Sequence, residues 1–114
     1  MATGNMKILV VLACLLSLSG QAAQAQGRPV NLIGSGALGS CGKWLEERRQ
    51  DTFWMMSDWA LGYISGAATY GDIGNPLGGT DSQGVLYWLD NFCSANPATD
   101  FLYAVKAFIK ARAP

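Results

Sequence analysis

Trp59-Ala60-Leu61-Gly62-Tyr63-Ile64-Ser65-Gly66-Ala67-Ala68 carries no charge and is long enough for a buried helix. Gly62 and Gly66, four residues apart, share one helical face with Trp59 and Tyr63 beside them. A glycine inside a helix costs about 1 kcal/mol against alanine. Two in one helix therefore predict a packing motif, Trp59, Gly62, Tyr63 and Gly66, at which a neighbouring backbone comes close. Working outward, apolar residues at 55, 56, 59, 60, 63, 64 and 67 keep the helical period. They predict a main helix from Phe53 to Tyr70, capped by Asp51 or Thr52 and stopped at Gly71.

The flanking segments repeat the pattern. Gly71 to Gly79 is a loop by composition. Thr80 and Gln83 fit a capping box, with Asp81 favourable at the positive helix end. Val85, Leu86, Trp88, Leu89, Phe92 and Cys93 then give the next helix a broad apolar face. Asn96-Pro97 predicts a break, with Asn96 as cap and Pro97 opening a last helix. Phe101, Leu102, Val105, Phe108 and Ile109 follow at helical spacing, and Lys106, Lys110 and Arg112 suit the negative end of its dipole. Upstream, Cys41 to Gln50 predicts a short helix with Trp44 and Leu45 inward and Glu46, Glu47, Arg48 and Arg49 in water. No segment reads as a strand. The expectation is an all-α bundle of three main helices and one short N-terminal helix.

The first residues read as an export signal. Lys7 precedes the apolar run Ile8 to Leu18, and Ala23-Gln24-Ala25 fits a small-x-small cleavage site. The predicted division is a cleaved signal over residues 1–25, a flexible lead-in over 26–40 and a helical domain over 41–112, placed in the periplasm. The apolar run is too short to span a bilayer comfortably, so the mature form is not expected to cross the membrane. Cys14 leaves with the signal. Cys41 and Cys93 remain, and a pair in an exported chain reads as a disulfide stapling the first helix to the bundle.

Composition narrows the chemistry. Eight basic residues face eight acidic ones and no basic patch stands out, which argues against a nucleic-acid partner. The chain has no histidine, so the usual general base is missing, and two thiols alone do not make a zinc set. Asp58, Asp72, Asp81 and Asp90 could serve as paired carboxylates. Each reads better as a helix start, loop or solvated helix position. Gly34-Ser35-Gly36-Ala37-Leu38-Gly39 is a literal G-x-G-x-x-G. A dinucleotide site needs that turn inside a βαβ unit, for which this chain offers no strands. No enzyme activity, cofactor or metal is expected.

The order of marks resembles a known group. Cys41, Trp59 with Gly62-Tyr63-Ile64-Ser65-Gly66, Asp81, Trp88-Leu89-Asp90-Asn91-Phe92-Cys93 and Asn96-Pro97 are similar to small exported bacterial helical proteins of two related kinds. One is the HdeA-like acid-stress chaperones. The other is the Rap-type immunity proteins, which neutralise type VI secretion effectors that cut peptidoglycan. The resemblance runs from Cys41 to Ala111. The Gly71 to Gly79 loop and the Cys-Gly-x-Trp opening look nearer to the immunity kind. The resemblance implies a protein partner, either an effector or an unfolded client, and for the chaperone kind a homodimer. The chain ends Lys110-Ala111-Arg112-Ala113-Pro114, without the lysine-rich terminus a soluble acid chaperone would use, which ranks immunity first.

Four tryptophans and four tyrosines are many for a small interior. Trp54, near the start of the main helix, and Tyr87, turned away from Leu89, are candidate partner-binding anchors. Asp72 and Asn75 are the polar candidates in the Gly71 to Gly79 loop.

Overall fold

The start of the main helix does not lie at Asp51 or Thr52. In the computed structural model, which describes residues 29–114, both belong to a turn and the helix runs Trp54–Tyr70. Its first turn has no side-chain cap; the Phe53 carbonyl accepts from the Ser57 N–H at 2.9 Å. In chain order the helices are α1 (Ser35–Leu38), α2 (Cys41–Arg48), α3 (Trp54–Tyr70), α4 (Ser82–Ala95) and α5 (Phe101–Arg112). Among the described residues there is no strand, only one isolated bridge between Ser40 and Asp100. The fold is all-α, three main helices and the short α2 bound by the Cys41–Cys93 disulfide, with S–S 2.04 Å and Cα–Cα 4.8 Å. The predicted signal, residues 1–25, lies outside the described residues.

Each main helix buries one stripe. On α4 it is Val85, Leu86, Leu89 and Cys93; on α5 it is Phe101, Ala104, Val105 and Phe108. On α3 the stripe is narrower than the period predicts, with Met56, Ser57, Ala60 and Ile64 buried and Met55 exposed. Ser57 is tolerated there because its hydroxyl donates to the Trp54 carbonyl at 3.0 Å. Trp44 of α2 is fully buried and stacks on Phe101 of α5, ring centres 4.9 Å apart. This aromatic pair is the hub where α2, α4 and α5 meet.

Two predicted caps move. The α4 N-cap is Asp81, whose carboxylate accepts from the Gly84 N–H at 2.8 Å. Thr80 lies one residue before it, so Thr80 and Gln83 form no capping box. Asn96 closes α4 instead of opening α5: its N–H donates to the Cys93 carbonyl and its amide to Phe92 O at 2.9 Å. Pro97 is not helical, because the turn after it serves α2. Cys41 N–H donates to Thr99 O at 2.8 Å and Gly42 N–H to Pro97 O at 2.9 Å. In return Phe101 N–H donates to Gly39 O at 2.9 Å. Orphan donors at the starts of α2 and α5 are thus satisfied by each other's approach segments. Ser40 completes the α2 cap by accepting from the Lys43 N–H at 3.0 Å.

Residues 26–28 of the predicted lead-in lie outside the described residues, and its later part is folded. Leu32–Pro114 form one folded unit, which starts well before Cys41, and Ile33 to Gly39 lie across α3 as a strap. Trp59 donates its indole N–H to the Ile33 carbonyl at 2.7 Å. Gly36 is buried against the indole face, where an added Cβ would collide with the ring. A Cβ at Gly34 would stand 2.5 Å from Trp59 Cδ1, and its φ of +105° favours glycine in any case. A Cβ at Gly39 would stand 2.6 Å from the Met56 methyl. The glycines that permit close approach on α3 are therefore those of the strap. Gly62 is exposed, and nothing lies within 4 Å of a Cβ at either Gly62 or Gly66. The predicted packing motif fails for its glycines, while Trp59, beneath the strap, stacks on Tyr63 with ring centres 5.3 Å apart.

Beyond Tyr70 the loop is anchored at its centre. Pro76 is buried, and Arg112 of α5 donates to Pro76 O at 2.7 Å and to Gly78 O at 2.6 Å. Gly71 ends α3 by donating to Ala67 O, in an extended conformation.

Candidate functional site

The α2–α4 seam carries the main concentration of polar chemistry. Cys41 begins α2 and Cys93 lies in the last turn of α4, so the disulfide fixes one end of the pair. Two turns further along α2, Arg48 reaches Asp90 of α4. Its Nε lies 2.9 Å from Oδ1 and its Nη2 2.8 Å from Oδ2. Asp90 Oδ1 also accepts from the Trp44 indole N–H at 2.9 Å. A buried indole N–H requires such an acceptor, so Asp90 serves the core hub and the ion pair together. The Arg48 and Asp90 side chains are 25% and 26% exposed. Hydrogen bonding to Asp90 holds the Arg48 guanidinium above its ordinary value; burial opposes this and the Asp90 charge adds to it. Neither residue is in open water, contrary to the solvated positions predicted for both. Glu47 is also partly covered, with Oε1 3.5 Å from Lys43 Nζ.

The guanidinium continues outward as a platform. It lies over the Phe53 ring at 4.8 Å and over Trp44 at 5.5 Å. Phe53 in turn meets Trp54, ring centres 4.3 Å apart. Trp54 is 57% exposed and Met55 is 65% exposed. A chain of contacts thus runs from the buried Trp44 through Asp90, Arg48 and Phe53 to an open apolar corner at the start of α3. Tyr87, 69% exposed, sits one helical turn before Asp90 on α4.

The four candidate partner-binding residues do not form one site. Trp54 opens α3, while Asp72 and Asn75 lie past its far end, about 25 Å away along a helix of this length. Both loop residues are exposed, and Asn75 Oδ1 accepts from the Leu77 N–H at 3.2 Å, which makes it a turn residue. Arg48 and Asp90 were not singled out as partners because 42 residues separate them. The usable signal was local: Trp44 and Arg48 share an α2 face at i,i+4 spacing.

Of the carboxylates weighed for catalysis, Asp81 is committed to a cap and Asp90 to the seam, while Asp58 and Asp72 are exposed. Among the described residues no group of three or more His, Cys, Asp or Glu side chains is placed to hold a metal ion. The G-x-G-x-x-G is occupied with Trp59 and Met56. The arrangement offers a fixed aromatic surface with a charged base. No protein-family model, curated protein or solved structure matches this chain.

Proposed function

We propose that this chain is an exported, non-enzymatic protein-binding domain of the kind represented by Rap-type immunity proteins. The observation that supports this reading is the Trp54 and Met55 corner. Two large apolar side chains stand open on a base held by Phe53, Arg48 and Asp90. Aromatic anchors on a rigid base lose little conformational entropy on binding, which is what an interface hot spot needs. Tyr87 extends the surface along α4. The Gly71 to Gly79 loop belongs to a second contact region at the far end of α3.

The HdeA-like acid chaperone is the second reading, and one observation favours it. The Arg48–Asp90 pair joins α2 to α4 and depends on an ionised carboxylate. Loss of the carboxylate charge would release this link. The disulfide still joins the same two helices from the other end, so the release would loosen the Phe53 corner without freeing α2.

Calorimetric titration of the oxidised mature chain against peptidoglycan-cutting effectors of its own organism tests the first reading. Binding at neutral pH that weakens more than about tenfold in Trp54→Ala is expected. No binding, together with protection of an aggregating client at acid pH, would replace it with the second.

A further inference from the structure

The turn between α4 and α5 carries a surface hollow of about 510 Å³, lined by Asn96, Ala98, Thr99, Asp100 and Tyr103. Asp100 is the N-cap residue of α5, where a carboxylate ordinarily accepts from the first turn. Its side chain makes no cap hydrogen bond and joins none of the ion pairs among the described residues. Asn96 gives its amide nitrogen to Phe92 O at 2.9 Å, which leaves the amide oxygen as its acceptor. Thr99 adds a hydroxyl. Tyr103 is 62% exposed, and its ring meets Phe92 of α4 with centres 6.2 Å apart. Among the described residues no cation lines this hollow. An adjoining hollow of about 240 Å³ shares Asp100 and Tyr103 and carries Lys106. The negative end of α4 and the positive end of α5 open here together and offset one another. The Asp100 carboxylate therefore sets the sign of the larger hollow.

We infer that this larger hollow receives the arginine side chain of a protein partner. A guanidinium brings five N–H donors in one plane and has no acceptor. The hollow offers the complement: a carboxylate free of capping duty, an amide oxygen, a hydroxyl and an aromatic face on which a planar cation stacks. An anion would meet the carboxylate with no cation beside it, and an apolar side chain would strip water from the acceptors without replacing its bonds. Lysine fits less well, because a compact ammonium cannot stack or spread its donors across one plane. Lys106 closes the smaller hollow to a second cation by like-charge repulsion, which directs the guanidinium to the hollow that holds Asn96. These residues are distinct from those of the Trp54 corner, and the inference does not rest on the function proposed above.

Nuclear magnetic resonance titration of the isotope-labelled, oxidised chain with the blocked tripeptide Gly-Arg-Gly tests this directly. Saturable shifts centred on the amides of Asn96 to Tyr103 are expected, with a Kd on the order of 1 mM. The same peptide with citrulline, which keeps the shape and lacks the charge, should bind at least about fivefold more weakly. The lysine peptide should fall between the two. Tyr103→Ala and Asp100→Asn should each weaken the arginine peptide by about threefold, and Lys106→Gln should tighten it. All three positions are exposed, so the helical far-UV spectrum should not change. The inference is overturned by an absence of saturable shifts at these amides up to about 50 mM peptide, or by citrulline or lysine binding as tightly as arginine. Tyr103→Ala and Asp100→Asn chains that bind like the parent overturn it as well. The peptide comparison uses the unaltered chain, so it decides the matter even where a variant does not fold.

Discussion

The α2–α4 seam and the strap on α3 hold the same bundle by opposite means. The seam uses directional and covalent ties between residues far apart in sequence: Cys41–Cys93, Arg48–Asp90 and Trp44–Asp90. The strap uses the absence of side chains, three glycines laid on an indole and a methionine. A tie of the first kind fails when one partner is removed. A fit of the second kind fails when an atom is added. Deletions should therefore damage the seam and additions the strap, and this difference organises the expected mutational response.

The largest effect is expected at the covalent tie. Cys93→Ser, or reduction, opens a closure of 52 residues and should cost about 4 kcal/mol in the chain-entropy model, read as a fall in the urea midpoint. A loss below about 1 kcal/mol would place the seam's strength in its side chains. Asp90→Ala comes next. It strands the Trp44 indole N–H and the Arg48 guanidinium together, for an expected loss of about 2 kcal/mol. Because Arg48 is raised, its share of the pair is fully present below its unfolded value and is lost only as pH rises through the higher folded value. Between pH 5 and 9 the gap between parent and Asp90→Ala should accordingly stay flat. A gap that closes on going from pH 5 to 9 would show that another group carries the pair's energy.

These two expectations also mark what was legible beforehand. The fold class, the three main helices and the disulfide followed from apolar period and cysteine arithmetic, because each is written within one helix or in one rare residue type. The seam was hidden because Arg48 and Asp90 look like surface charges on their own helices, and only tertiary placement puts them together. The caps at Thr80, Asn96 and Asp51 or Thr52 were misplaced by a residue or more, since Asp81 competes with Thr80 and the Pro97 turn is recruited by α2. Gly62 and Gly66 lie open within the apolar run, whereas the glycines that meet another element are in the stretch ahead of Cys41, packed on the Trp59 and Met56 side chains.

The smallest effect on stability is expected at the open corner. Trp54→Ala should change it by less than about 0.5 kcal/mol, as for exposed positions outside special features. On the function proposed above, its consequence is for binding. A larger destabilisation would mean that the corner supports the seam through Phe53, and that its exposure is incidental to recognition.

The most direct test of the comparison is to measure unfolding of Gly36→Ala beside Gly62→Ala in the same oxidised chain. The strap account predicts opposite signs. One added methyl against the Trp59 ring should destabilise by about 1–3 kcal/mol, while the same methyl at the open helical position 62 should stabilise by about 0.5–1 kcal/mol. Destabilisation at Gly62 with no change at Gly36 would contradict it, and would return the close helix contact to the glycine pair of α3.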